Sequence, residues 1–178
     1  MQTPARPAQD SAQGDRAGPW LVLMHQIPPK PDYLRVKIGR RLQQIGALPI
    51  KNSVYVLPNR PQCQEDFQWV VREIAASGGQ AWLTTSEFVD GLRDSDVRTL
   101  FDTDRAMQYK AIGAQAKVLR RGRRSRDEIP AGVDALRRRL EAVTAADFFG
   151  ARGRAAAEAA IAELSRARRA RLRAPSAG

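Results

Sequence analysis

A chain of 178 residues with 43% hydrophobic content is long enough to bury a core and suits one domain with extensions, which excludes wholesale disorder. Thirty Lys and Arg against 19 Asp and Glu leave a net charge of +11, which favours nucleic acid, or less directly an anionic membrane surface, as partner over a merely solvated basic face. Cys63 is the only cysteine, so no intramolecular disulfide is possible and a cytoplasmic setting is expected; no apolar run approaches the roughly 20 residues that span a bilayer.

In chain order, residues 1–18 are rich in Ala, Pro, Gln, Gly and Asp without the continuous apolar stretch of a secretory signal, and are expected to be a disordered leader. Trp20 to Met24 is a short apolar run, predicted as a strand and closed by Pro28, Pro29 and Pro31. From Asp32, expected as an N-cap, a helical period takes over: Leu34, Ile38, Leu42 and Ile45 share one face, with Lys37, Arg40, Arg41 and Gln44 on its flank. Gly46 ends this helix, and Val54 to Leu57 reads as a strand stopped by Pro58. A second helix after Pro61 is carried by Phe67, Val70, Val71 and Ile74 and closed by Ser77-Gly78-Gly79; Gln80 to Thr85 reads as a further strand. Trp69 lies off the apolar face, either at an interface or under the C-terminal helices. The fourth strand comes either from Asn52 to Leu57, as two short strands, or from Glu87 to Val89. The pattern predicts an α+β fold: a ferredoxin-like βαββαβ core with its helices on one face of an antiparallel sheet.

A helical C-terminal half follows. Asp94 or Ser95 is expected to cap a helix running to about Leu119, with Val97, Leu100 and Phe101 as first core contacts. Arg120 to Arg126 reads as an exposed basic loop, and Pro130 and Gly132 punctuate before a helix from Val133 to Thr144. An Ala-rich helix spans Gly153 to Arg173, its last turns carrying arginines that suit the helix dipole. The expected organisation is a leader (1–18), a ferredoxin-like core (19–92), a helical extension with the basic loop (93–174) and a disordered tail (175–178).

Several motifs together resemble the N-terminal domain of the bacterial chromate-resistance regulator family, ChrB. They are the Trp20 strand, His25-Gln26-Ile27-Pro28-Pro29-Lys30, Leu34-Arg35-Val36-Lys37-Ile38, Arg40-Arg41-Leu42, Gly46 and Lys51 to Pro58. Glu65 to Trp69, Phe88 to Leu92 and Asp147-Phe148-Phe149-Gly150 complete the set, from Trp20 to Leu164. Gly39 stands where that helix commonly carries a large residue. The resemblance implies a DNA-binding transcriptional regulator, a repressor of a chromate-resistance or efflux operon. Longer members of the family carry a second, chromate-associated domain after this region. More distantly, the helix-Gly-strand unit resembles the ferredoxin-like domain of phenylacetate-pathway repressors and of CRISPR adaptation nucleases.

Chemistry in the residues themselves is sparse. His25 is the only histidine, lacks a second metal ligand of its type, and is expected to be a hydrogen-bonded structural residue. Cys63 reads as a turn residue before a helix, inert without a partner base. The nucleases hold a divalent ion on an aspartate at the end of the first strand, where this chain has Met24-His25-Gln26-Ile27; a Mg²⁺ site wants carboxylate oxygens. The acidic stretch Asp90, Asp94, Asp96, Asp102 and Asp104 reads as caps and surface pairs. No metal, cofactor or enzymatic activity is therefore expected.

The basic residues carry the functional expectation. Lys30, Arg35, Lys37, Arg40, Arg41 and Lys51 are candidate phosphate contacts, with Arg120, Arg121, Arg123 and Arg124 as a second, arm-like cluster. Lys30 and Arg35, beside a helix N-terminus, are also candidates for chromate or a related oxyanion. DNA is the expected partner, and a homodimer the expected assembly. The alternatives are a metal-dependent nuclease-like enzyme of the same fold, or a non-enzymatic adaptor that binds protein through its helical tail.

Overall fold

The computed structural model describes residues 18–30, 32–121 and 128–173. The leader, the centre of the basic loop and the tail lie outside them. The elements follow in the order β1 (Trp20–Gln26), α1 (Tyr33–Gln44), β2 (Leu48–Lys51), β3 (Val54–Pro58), α2 (Pro61–Ala76), β4 (Gln80–Ser86), α3 (Asp94–Arg121), α4 (Glu128–Ala145) and α5 (Arg154–Arg173). The sheet has four strands in the order β2-β3-β1-β4, every neighbouring pair antiparallel. This is the split βαββαβ arrangement expected from the sequence. The missing strand is β2, which begins at Leu48, before either segment considered for it. It is short, carries Pro49 and is bulged between Pro49 and Lys51, so neither alternation nor composition announces it.

Alternation along β1 divides the core in two. Leu21 and Leu23, with Leu57 of β3, face α1 and α2, meeting Leu34, Ile38, Leu42, Phe67, Val70 and Ile74. Trp20 and Val22, with Val56, face the other way, onto Val97 and Phe101 of α3. The rest of α3 forms a three-helix bundle with α4 and α5. Tyr109, Ile112, Ala116, Val133, Leu136, Ile161 and Leu164 fill it, and Ala157 and Ala160 keep α5 close.

Two clasps join the sheet layer to the bundle. In the first, the buried Arg105 guanidinium donates from Nε to the Ala146 carbonyl (3.0 Å), from Nη2 to the Gly46 carbonyl (2.8 Å) and from Nη1 to Asp104 (2.8 Å). Gly46, which ends α1, is at φ +78, and a Cβ there would lie 2.6 Å from the Ala146 Cβ; the position needs glycine for both reasons. In the second, Asp147 accepts from the backbone N–H groups of Gly150 and Ala151 and from the Tyr109 hydroxyl. Phe148 and Phe149 then pack on Phe101, and Phe149 also on Trp20. The Arg60 guanidinium lies 5.5 Å and 5.9 Å from the two Phe ring centroids and donates to the Phe148 carbonyl.

Several local expectations are corrected. Asp32 occupies the N-cap position, but its backbone is already helical and its side chain makes no capping hydrogen bond. Asp94 does not cap α3; its carboxylate accepts from the Trp20 indole at 2.7 Å, and Asp96 instead accepts from the Arg93 backbone N–H. Leu100 is exposed, because the helix turns it away from the Val97–Phe101 face. Cys63 lies inside α2 and is buried. Pro130 and Gly132 lie within α4; a proline in the first turn gives up an N–H that has no intrahelical acceptor. Arg120 and Arg121 form the last turn of α3 and are not part of a loop.

Candidate nucleic-acid interface

Once Leu34, Ile38 and Leu42 are buried against the sheet, the 3.6-residue period leaves Tyr33, Lys37, Arg40, Arg41 and Gln44 along the outer side of α1. On the neighbouring α2, burial of Phe67, Val70 and Ile74 likewise turns Trp69, Arg72 and Glu73 outward. The two rows face each other across an open cleft of about 950 Å³, which Val36 also lines. Four cations (Lys37, Arg40, Arg41, Arg72) thus stand against one carboxylate, Glu73.

That carboxylate is already matched. Lys37 Nζ lies 2.6 Å from Glu73 Oε1, and the hydrogen bond together with the charge of Glu73 raises the Lys37 pKa. Lys37 is therefore not the free phosphate contact that its place on the wheel suggested. Arg72 lies over the Trp69 ring, 4.8 Å from its centroid. Among the described residues Arg40, Arg41 and Arg72 form no ion pair, so the cleft presents three guanidinium groups to solvent. Trp69 is 53% exposed and Tyr33 67% exposed, and the C-terminal helices do not cover the indole.

The other predicted contacts are dispersed. Arg35 points to the opposite flank of α1, where it lines a second cavity of about 430 Å³ with His25, Asn52, Ser53 and Tyr55. His25 is not hydrogen-bonded as expected: its ring stacks on Tyr55 at 5.6 Å, and neither ring nitrogen has a partner. Burial lowers its pKa, leaving a neutral imidazole. Gly39 also lines this cavity; a Cβ there would meet nothing within 4 Å, so the helix leaves open space beside the imidazole. Lys30 is exposed in the turn after β1 and does not share a cavity with Arg35, so the expected oxyanion pair is not assembled by the fold. Lys51 is exposed at the end of β2.

Arg120 is held to Glu163 of α5 at 2.9 Å and is not part of a free arm. Arg121 is exposed beside it. Both sit about 35 Å further along α3 than Val97 at 1.5 Å per residue, and Val97 packs on the sheet face opposite α1 and α2. They are not continuous with the cleft. Arg123 and Arg124 lie outside the described residues.

From the predicted phosphate-binding residues the fold therefore gathers Lys37, Arg40 and Arg41. It adds Trp69, which the sequence offered as one of two alternatives for an interface, and Tyr33 and Arg72, which nothing in the sequence marked as site residues. Trp69 was visible as an aromatic off its helix face; Arg72 became relevant only when α2 was laid beside α1. Burial raises the Cys63 thiol to about 11, so it carries no nucleophile at neutral pH. Among the described residues no three His, Cys, Asp or Glu side chains come together as a metal site, and no helix is long and apolar enough to cross a membrane.

Comparisons with known proteins bear on this region. The family model described as "Protein ChrB, N-terminal" matches residues 35–121, from the first turn of α1 to the end of α3. Protein ChrB of Cupriavidus metallidurans is 26% identical over 141 residues, covering 78% of this chain and 43% of that protein. The chain thus spans less than half the length of that relative. No solved structure matches significantly. Over residues 35–121, the stretch that supplies most of both walls of the basic cleft, the chain is similar to the N-terminal region of the ChrB family.

Proposed function

We propose that this protein is a non-enzymatic, DNA-binding transcriptional regulator of the chromate-resistance type, acting in the cytoplasm to repress a resistance or efflux operon. The similarity to the ChrB family supports the chromate-related regulatory role. The observation that carries nucleic-acid binding is the α1–α2 cleft, where Arg40, Arg41 and Arg72 are exposed and the sole lining carboxylate is paired. Guanidinium groups grip phosphate oxygens in pairs, and such grips position a duplex without reading its bases.

The test is binding of a duplex as a function of salt by the wild type and by the Arg40→Ala, Arg41→Ala, Arg72→Ala triple variant. The slope of log affinity against log salt should become shallower by about 0.9 for every phosphate that the variant no longer neutralises, similarly on operator and random duplexes. Arg121→Ala should leave the slope near that of the wild type. An unchanged slope in the triple variant would remove the cleft as the DNA site. Lys37 is best left in place, since its replacement would free the Glu73 carboxylate and confuse the reading.

A second reading concerns chromate or a related oxyanion. The observation favouring it is the cavity that Arg35 shares with His25, whose ring nitrogens are unpartnered. Calorimetric binding of chromate by the wild type, lost in an Arg35→Ala variant, would support it; no binding, or equal binding by the two proteins, would end it.

A further inference from the structure

We infer that the α1–α2 cleft takes an unpaired base together with its flanking phosphates, so that the preferred ligand is single-stranded nucleic acid or a duplex with a locally opened stretch. The inference rests on the nucleic-acid reading above and narrows it. Phosphate contacts on an intact duplex need only cations, and they leave Tyr33, Val36 and Trp69 without a role. All three are exposed in the same cleft as the arginines. Exposed aromatics beside a cationic track are what a splayed base requires, because every base offers a π-face to stack on.

The geometry is prepared for this. Arg72, one turn beyond Trp69 on α2, lies 4.8 Å from the ring centroid and holds the indole against a planar cation. A base can extend that stack on the indole or on the guanidinium plane. Tyr33 stands on the α1 wall of the same cleft, and Arg40 and Arg41 follow it by two helical turns on that wall. Phosphates on either side of a bound base would meet them. The volume of about 950 Å³ lies within the range of roughly 300–1,000 Å³ typical of clefts that hold a small molecule, enough for a nucleotide unit.

The competing occupant is an acidic peptide. A docked amphipathic helix needs a run of apolar pockets at helical spacing. Here the cleft's apolar surface comes from two aromatic rings, one valine and the stems of the cations, with no row of aliphatic pockets, which favours a planar, charge-flanked ligand.

The experiment uses the full chain and three DNA probes of one sequence: an intact duplex, the duplex with a short single-stranded gap, and the single strand. 2-Aminopurine in the gap reports stacking. The wild type should bind the gapped and single-stranded probes about tenfold more tightly than the duplex, with quenched 2-aminopurine. Trp69→Ala should abolish that preference and the quenching, and Trp69→Phe should retain both, the readout being the ratio of gapped-probe to duplex affinity within each protein. An RNA version of the strand separates the two sources of the same chemistry. Equal affinity for all probes, insensitive to Trp69, overturns the inference while leaving duplex binding intact. Absence of all nucleic-acid binding would overturn both. Displacement of the single strand by an acidic amphipathic peptide, with tighter binding of that peptide, would assign the cleft to a protein partner and overturn it as well.

Discussion

His25 illustrates how much one side chain's meaning depends on its surroundings. Its imidazole stacks on Tyr55 of β3, shares a cavity with Arg35 of α1, and has no hydrogen-bond partner at either nitrogen. Burial disfavours the charged form and lowers the pKa from 6.5. The unfolded chain therefore takes up this proton at higher pH than the folded one. The stabilising contribution of the neutral ring is complete above about pH 6.5 and declines as pH falls through that value towards the lower folded pKa. Urea midpoints measured on the acid side of neutrality should fall for the wild type. His25→Phe, which keeps a ring to stack on Tyr55, should fall less. Parallel curves for the two proteins would show that the acid destabilisation comes from other groups.

At the scale of elements, Arg105 matters more than any residue singled out from the sequence. It is 4% exposed, and through Gly46 and Ala146 it ties the end of α1 to α3 and to the end of α4. Arg105→Met keeps most of the apolar stem but leaves two carbonyls without their donor. Each orphaned acceptor costs roughly 1–3 kcal/mol, so a destabilisation of about 2–6 kcal/mol is expected in chemical denaturation. A value below about 1 kcal/mol would mean that water or a neighbouring donor replaces the guanidinium. The substitution is far from Arg40 and Trp69 in role, and binding per folded molecule should be preserved.

The two edges of the sheet bear on how whole molecules associate. β2 is protected by its shortness, by Pro49 and by a bulge. β4 has none of these features: it is seven residues long, carries no charge or proline, and is an edge of the sheet. Trp82 and Met24 are paired across β4 and β1 and are exposed together on the part of the α3-facing side of the sheet that α3 does not cover. Antiparallel pairing of β4 with β4 of a second copy is self-complementary about a two-fold axis, and we propose this as the homodimer contact. Sedimentation should give twice the chain mass for the wild type and the monomer mass for Trp82→Lys, with the melting temperature of the monomer unit maintained. A wild type that stays monomeric at high concentration would end this proposal.

Much of the fold was legible in the sequence because local periodicity and burial agree there. Trp20 to Met24, the Leu34-Ile38-Leu42 stripe, the Phe67-Val70-Ile74 stripe and Gly46 each bear a signal that needs no distant partner. The cationic flank of α1 was readable for the same reason: a buried stripe dictates which residues face out. β2 was not readable, since its four residues take their strand geometry from pairing with β3 and not from composition. The rest was decided by contacts between elements distant in the chain. Glu73 reaches Lys37 and cancels a predicted phosphate contact, Glu163 takes Arg120, and Arg35 is turned towards His25. Charge in the sequence pointed to a nucleic-acid partner, but only the packing of α2 against α1 brought Trp69 and Arg72 opposite Arg40 and Arg41. The physical reason is that helical period is a local property, whereas which charges remain free depends on side chains brought together across the fold.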